Sequence, residues 1–236
     1  MFNPLEHPII FSSPKRRTSM LAWHEHFPFG MFLVGVLRPR LLVELGTHGG
    51  DSYCCFCQAV SEFGLETKCH AVDTWQGDEQ AGYYGNDILN DLRAHHDPLY
   101  SGFSELIQST FDDALSRFAD GSIDLLHIDG LHTYEAVRHD FETWLPKVSE
   151  RGVILFHDTN VMERDFGVWK FWEEVRHGYP NFEFKHGYGL GVLAKRDVDS
   201  EILRMFFEAE RNDSPQVEML RHLFHGIGQR FHDTEP

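Results

Sequence analysis

Five short apolar runs limit most strongly how this chain can fold. Each run ends at a glycine or a polar residue, and helical periodicity follows most of them. Two further runs flank a glycine-rich turn, which indicates a hairpin. The five runs cover residues 41–45, 69–72, 105–108, 123–128 and 153–156, and the hairpin joins 182–184 to 190–194. Helical patterns cover 29–37, 52–63, 111–118 and 134–148, the last with Thr133 as its predicted cap.

This alternation predicts a parallel sheet that is covered by helices on both faces. We therefore predict an α/β fold with a doubly wound, mostly parallel Rossmann-like sheet, a C-terminal antiparallel hairpin and helical extensions. The length of 236 residues suits one hydrophobic core. The predicted units are an N-terminal arm and helix (1–38), the α/β domain (39–196) and a C-terminal helical tail (197–236). The tail could pack on the core, join subunits or lead toward a partner domain.

The charge balance narrows the range of partners. The chain has 21 Lys and Arg against 37 Asp and Glu, a net charge of −16 that disfavours nucleic acid and anionic lipid surfaces. The basic cluster at residues 15–17 is predicted to be a solvated arm. The early apolar run 31–37 is too short to span a membrane, and no signal-peptide pattern precedes it. We predict a cytoplasmic chain with four reduced cysteines and no nucleic-acid partner. The sequence leaves open whether the chain forms a homo-oligomer.

A glycine-rich turn follows the first run and suits a zwitterionic ligand. Residues 44–52 have the pattern ExGxxxGxS, which allows close backbone approach before a helix start whose free N–H groups attract a carboxylate. The acid Glu44 in the same turn suits an amine, and the methionine part of S-adenosylmethionine carries both groups. Asp73 ends the next run, where an acid can accept hydrogen bonds from ribose hydroxyls. The ring of Trp75 suits packing on adenine.

These segments resemble the class I S-adenosylmethionine-dependent methyltransferases. The resemblance is greatest to a bacterial family related to cation-dependent sugar O-methyltransferases and cephalosporin-hydroxylase-type proteins. It runs from about residue 23 to 193 and is carried by 43–53, 71–78, 123–147 and 152–159. The resemblance implies that 39–196 is the methyltransferase domain and that S-adenosylmethionine is its cofactor. It further implies that Glu44, Gly46, Thr47, Gly50 and Ser52 line the methionine and ribose portion, that Asp73 holds the ribose diol and that Ser109 touches adenine.

Acidic residues end two runs that lie side by side in the doubly wound order. Neighbouring strands are about 4.8 Å apart, so we expect Asp129 and Asp158 to face each other. Two carboxylates suit a hard divalent cation, and His157 beside Asp158 admits manganese as well as magnesium. The resemblance places the cation of related enzymes here. The predicted metal ligands are therefore Asp129, His157 and Asp158. Alternatively, the two acids cap helices or touch substrate without a metal.

The predicted catalytic residues are His132 and Asp129. The ordinary pKa of a histidine, about 6.5, lets His132 take a hydroxyl proton near neutrality. Some similar sugar methyltransferases carry an acid where Leu131 stands. The long stretch 76–99 is predicted to close in part over the acceptor, with an ordinary exposed insertion as the alternative.

The predicted function is cation-assisted O-methyl transfer to a sugar or glycan-linked hydroxyl. Two alternatives stay open at this point. One is a catalytically silent module that binds the cofactor, and the other is a metal-dependent hydroxylase-like enzyme on the same fold.

Overall fold

The computed structural model describes residues 2–80 and 82–232. Its strands are β1 (Leu41–Leu45), β2 (Lys68–Asp73), β3 (Gly77–Asp78), β4 (Gly82–Tyr83), β5 (Ser104–Gln108), β6 (Ile123–Ile128), β7 (Val148–His157), β8 (Asn181–Phe184) and β9 (Leu190–Ala194). Seven of them form one sheet in the order β5-β2-β1-β6-β7-β9-β8. The first five in that order pair in parallel, and β9 is antiparallel to both β7 and β8. Strands β3 and β4 form a separate antiparallel ribbon. The predicted sheet and C-terminal hairpin are confirmed.

The helices cover both faces of the sheet. They are α1 (Phe27–Leu37), α2 (Asp51–Glu62), α3 (Asp87–Tyr100), α4 (Phe111–Ala114), α5 (Tyr134–Trp144), α6 (Val168–Val175), α7 (Glu201–Arg211) and α8 (Pro215–His232). Successive strand residues enter opposite core layers because side chains alternate across a sheet. In β1, for example, Leu42 packs with the layer that contains α1 and α2, and Val43 packs with the layer that contains α5 and α6.

The N-terminal arm and the C-terminal tail pack into the same core layer. Phe2 and Trp23 of the arm, and Phe206 and Phe224 of the tail, are buried there with α1. Of the three possibilities for the tail, packing on the core is therefore observed. None of the helices in the described part of the chain is both long and apolar enough to cross a bilayer.

Several boundaries differ from the predictions, and two segments differ most. Val148 was expected on the helical face that begins at Tyr134, but it is the first residue of β7. Pro146 explains this, because it cannot continue the helix and ends α5 in a short 3-10 turn. The stretch 76–99 contains most of α3 as well as the β3–β4 ribbon. Thr133 caps α5 as predicted, since its hydroxyl accepts a hydrogen bond from the Ala136 amide at 3.2 Å.

Opposite ends of the sheet have different chemistry. At the end where β6 begins, the buried carboxylate of Asp124 accepts hydrogen bonds from Arg40, Ser149 and Arg151. The other end, where the parallel strands finish, carries the glycine turn and the predicted catalytic acids. Ligands bind at that carboxyl edge in open α/β sheets.

Candidate cofactor and catalytic site

The turn after β1 requires glycine at position 46. Gly46 has φ +83°, and a Cβ there would lie 2.1 Å from the carbonyl oxygen of Asp129. Its amide donates to the Val72 carbonyl at 3.0 Å, which ties the turn to β2. Gly50 also has a positive φ, +82°, and precedes the first residue of α2. The backbone therefore forms a tight cradle at the start of α2, as the sequence predicted.

Asp73 supports this turn from the end of β2. One carboxylate oxygen accepts hydrogen bonds from the amides of Thr47 and His48 at 2.8 and 2.9 Å, and the other accepts from the Trp75 amide at 2.7 Å. A carboxylate offers about four lone pairs, so three donors leave room for another. Asp73 therefore has a structural role that the sequence does not reveal, and its contact with a ribose stays a prediction.

The predicted adenine-contacting residues lie near Asp73. Trp75 is fully buried, and its indole N–H donates to the His48 carbonyl at 3.0 Å. Ser109 is half-buried just after β5, where its amide donates to the Asp73 carbonyl at 2.9 Å. Trp75 therefore supports the glycine turn in this structure. Contact of either side chain with adenine stays a prediction.

Glu44, in β1 just before the turn, is a completely buried acid. Its Oε2 accepts a hydrogen bond from His127 Nδ1 at 2.8 Å, and His127 Nε2 accepts one from the indole of Trp23 at 3.4 Å. Burial raises the pKa of Glu44. Among the described residues, Glu44 Oε1 and the Thr47 hydroxyl are buried without a hydrogen-bond partner. A buried acid with a free oxygen suits an ammonium group, so these residues fit the methionine part of the cofactor.

The N-terminal arm holds the outer side of the turn. Arg16, predicted to be solvated, is instead buried and donates to the Gly49 carbonyl at 2.5 Å and to Asp91 on α3 at 2.6 Å. Thr18 donates through its amide to Asp51, the first residue of α2, at 2.8 Å. Local sequence carries no signal for these contacts, because the partners are at least 33 residues away.

The predicted catalytic residues meet beside this turn. Asp129 follows β6, and its amide donates to the Leu45 carbonyl at 2.8 Å. One possible metal-binding atom from each of Asp129, His132 and Asp158, a carboxylate oxygen or a ring nitrogen, lies within 4.8 Å of the other two. His132 Nε2 is 3.4 Å from an Asp129 oxygen and 3.0 Å from an Asp158 oxygen. His157 Nδ1 lies 3.3 and 3.4 Å from oxygens of the same two acids.

The charges in this cluster depend strongly on one another. Burial alone would lower the pKa of His132, but hydrogen bonds to Asp129 and Asp158 raise it to about 10. Burial also opposes the charged form of His157, whereas the same two acids raise its pKa to about 9. Burial favours neutral Asp129, but the neighbouring imidazoles hold its pKa well below the usual range. Two acids and two imidazoles thus form a compact cluster that stabilises charge.

The cluster fits a divalent cation. Two carboxylates suit magnesium, and adjacent imidazole nitrogens suit manganese or another transition ion. His157 Nε2 is 3.2 Å from the Gly187 carbonyl, so this nitrogen donates and Nδ1 is left to face the acids. Asp158 has φ +62°, a conformation that is uncommon for a residue with a side chain and that recurs at functional sites.

Comparison with known protein families matches a segment of the chain that contains this site. Residues 43–159, which include the glycine turn and both acids, match a family model described as a methyltransferase domain. The chain is 52% identical over 190 residues to y4gI, an uncharacterized protein of Sinorhizobium fredii. That alignment covers 80% of this chain and 20% of the relative, so the chain spans about a fifth of the relative's length.

Several solved structures share the fold. The methyltransferase PaMTH1 of Podospora anserina, bound to S-adenosylhomocysteine, has a TM-score of 0.55 and 13% identity, covering 77% of this chain and 89% of that one. A putative caffeoyl-CoA O-methyltransferase of Staphylococcus aureus has a TM-score of 0.53 and 13% identity, covering 81% and 90%. A Bacillus cereus O-methyltransferase with S-adenosylhomocysteine has a TM-score of 0.52 and 15% identity, covering 80% and 86%. At these identities the likeness shows the fold.

The family match over residues 43–159 and the shared fold confirm the predicted methyltransferase domain.

Proposed function

We propose that this chain transfers a methyl group from S-adenosylmethionine to a hydroxyl oxygen of a sugar or glycan, assisted by a divalent cation. One observation carries the proposal: the glycine turn and the acid cluster touch. The close approach of Gly46 to the Asp129 carbonyl sets a cofactor cradle directly beside Asp129 and Asp158. A methyl donor and an acceptor bound at those two places would be neighbours, and alignment of reactants supplies much of a methyl-transfer rate.

The turn and its supports would bind the cofactor, which supplies an electrophilic methyl group. Glu44 would accept hydrogen bonds from the amine, and the free amides at the start of α2 would attract the carboxylate. Asp73 would use its remaining capacity for the ribose diol. The methionine and ribose portion of the cofactor would be lined by Gly46, Thr47, Gly50 and Ser52. Trp75 and Ser109 would lie near adenine.

The acid cluster would bind the acceptor through the cation. Asp129, His157 and Asp158 are the proposed ligands. A divalent cation held there supplies positive charge that orients a diol and lowers the pKa of its hydroxyl. The sugar acceptor is supported by the resemblance of segments 43–53, 71–78, 123–147 and 152–159 to a bacterial family related to cation-dependent sugar O-methyltransferases.

His132 stays the candidate base for the hydroxyl proton, but not with the ordinary pKa expected from the sequence. Without a cation, Asp129 and Asp158 raise its pKa to about 10, so the ring is charged near neutrality and can act as a base only if a bound cation offsets the two acids. Its Nε2 lies between Asp129 and Asp158, so the lone pair that would take the proton is the same one that could hold a cation. One lone pair cannot do both at once. The base role therefore belongs to a site in which His132 is not a ligand.

Tritium transfer tests the proposed reaction. The full chain is incubated with methyl-tritiated S-adenosylmethionine and a panel of sugars, nucleotide sugars, glycans and catechols, with magnesium, manganese or a chelator. We expect label in a sugar-containing acceptor and loss of labelling with the chelator. Label only in catechols would contradict the sugar assignment. Cofactor binding without transfer to any acceptor would favour a silent module.

A hydroxylase-like enzyme is the second candidate. Two imidazoles and two carboxylates at one place, as in the cluster of His132, His157, Asp129 and Asp158, also suit ferrous iron. Oxygen consumption with ferrous iron and the same panel, without label transfer, would favour that reaction over methylation.

A further inference from the structure

Gln80 connects the β3–β4 ribbon to the catalytic cluster. Its side-chain oxygen lies 2.9 Å from the backbone nitrogen of His132 and 3.1 Å from the ring nitrogen Nδ1 of the same residue. Its side-chain nitrogen lies 3.0 Å from a carboxylate oxygen of Asp165. Its own amide donates to the Asp78 side chain at 2.7 Å. Contacts on both sides thus hold the half-buried side chain of Gln80 between β3 and β4.

These contacts allow one hydrogen-bond arrangement. The backbone amide of His132 can only donate, so the Gln80 atom facing it must be the oxygen. The carboxylate of Asp165 can only accept, which agrees with the nitrogen on the other side. An amide oxygen cannot donate, so His132 Nδ1 must carry a proton. In the neutral ring the lone pair is therefore on Nε2, the atom that faces Asp129 and Asp158.

Phe166 restricts the rotation of the His132 ring. It stacks on His132 with ring centroids 4.9 Å apart and an interplanar angle of 6°. The stack fixes the ring plane, and Gln80 fixes which edge faces the acids. Three atoms that can bind a cation therefore lie around the same place: one oxygen of each acid, and Nε2 of His132 once a cation has displaced its proton.

We propose that Gln80 is a positioning residue that holds His132, through Nε2, as a further ligand beside Asp129, His157 and Asp158 for the divalent cation. In this role His132 is a ligand and not the base. This inference rests on the cation of the proposed function. Partners of the second ring nitrogen commonly orient metal-binding histidines, and their loss weakens metal affinity by about 10-fold to 100-fold. Gln80 has that position, although it comes from the ribbon rather than from a strand end.

Manganese binding to the full chain tests the proposal without any acceptor or cofactor. Free Mn²⁺ is measured by electron paramagnetic resonance during titration. Gln80→Met keeps the side-chain length and removes the acceptor, so we expect at least about 10-fold weaker binding. Gln80→Glu combined with Asp165→Asn keeps an acceptor for both nitrogens of His132 without placing two carboxylates side by side, and should largely restore binding. Glu79→Ala, at the exposed neighbouring position, should bind like the wild type.

A spectroscopic readout separates positioning from a general loss of structure. Nitrogen-15 spectra of histidine-labelled, Mg²⁺-loaded protein should show His132 with a protonated Nδ1, assigned from the signal lost in His132→Asn. Gln80→Met should shift this ring toward mixed protonation with an unchanged unfolding temperature.

Equal Mn²⁺ affinity in the wild type and Gln80→Met would overturn the inference, and so would a wild type that binds no Mn²⁺. Tritium transfer is measured separately. A chain that transfers label but binds Mn²⁺ equally well as wild type and as Gln80→Met contradicts this inference alone, whereas a chain that binds Mn²⁺ but transfers no label contradicts methyl transfer alone.

Discussion

Asp73 is the residue on which the proposed cofactor site depends most. It joins the amides of the glycine turn to β2 and keeps capacity for one further donor. The sequence predicts its importance, because an acid at the end of β2 is placed by the order of the strands. The sequence does not predict its three backbone partners, since they depend on the shape of the folded turn.

Replacing Asp73 and Asp158 should separate cofactor binding from cation binding. Asp73→Ala should weaken S-adenosylhomocysteine binding about 100-fold or more, because charged hydrogen bonds to both the turn and the ribose are lost. Asp158→Ala should leave that affinity within about 3-fold and abolish cation-stimulated turnover. Calorimetry and label transfer measure the two effects. The reverse pattern would contradict the assignment.

Asp140 on α5 should make stability depend on pH. Burial raises its pKa to about 7, so the fold favours the neutral acid. Its contribution is complete below the unfolded pKa of about 3.9 and is lost as pH rises through about 7. Asp140→Asn should therefore be about 2–4 kcal/mol more stable than the wild type at pH 8, with little difference near pH 4. Denaturant unfolding at both pH values measures this, and a constant difference would contradict the shift.

The elements of the fold are predictable where periodicity is strong. Strands β1 and β6 begin and end where their apolar runs do, and the meeting of Asp129 with Asp158 follows from strand order alone. Helix α6 and the position of Gln80 are not predictable in this way. The local pattern of the segment 158–180 is mixed, and the Gln80 contact with His132 joins residues 52 positions apart.

The turn between β1 and α2 should tolerate no side chain at position 46. Gly46→Ala would force a Cβ against the Asp129 backbone at a positive φ, so we expect a loss of about 3 kcal/mol or more in unfolding free energy. Gly64→Ala is the matched control, because Gly64 also has a positive φ, +58°, but no atom within 4 Å of the added Cβ. It should cost about 1 kcal/mol. Equal losses in denaturant unfolding would show that close approach at Gly46 is unimportant.

At the scale of the whole molecule, one end of the sheet stabilises the fold through Asp124, and the other end carries the candidate site. The sequence predicts the end with the candidate site, because polar residues follow the apolar runs. It predicts little of the arm, since Arg16 and Trp23 reach distant partners at Gly49 and His127 without any local pattern.

Asp124 should matter for stability and not for binding. Burial opposes its ionisation, but hydrogen bonds from Arg151 and Arg40 hold its pKa well below the usual range. That stabilisation is present above the unfolded pKa of about 3.9 and is lost as pH falls toward the folded value. Asp124→Asn should cost about 2–3 kcal/mol at pH 7, discounted because both arginines are partly exposed.

The exposed pair of Glu150 and Arg196 provides the control for Asp124. Glu150→Gln should leave the unfolding free energy unchanged within the error of the measurement, because exposed ion pairs contribute little to stability. Cofactor binding should be unchanged in both variants. A weaker cofactor affinity in Asp124→Asn would contradict the separation of the two ends.

Calorimetric titration of S-adenosylmethionine into the full chain tests the central claim most directly. We expect a saturable heat with one site per chain, and its loss in Asp73→Ala protein that keeps a cooperative unfolding transition. A folded wild-type chain that gives no saturable heat would contradict the proposed cofactor site and the methyl transfer built on it.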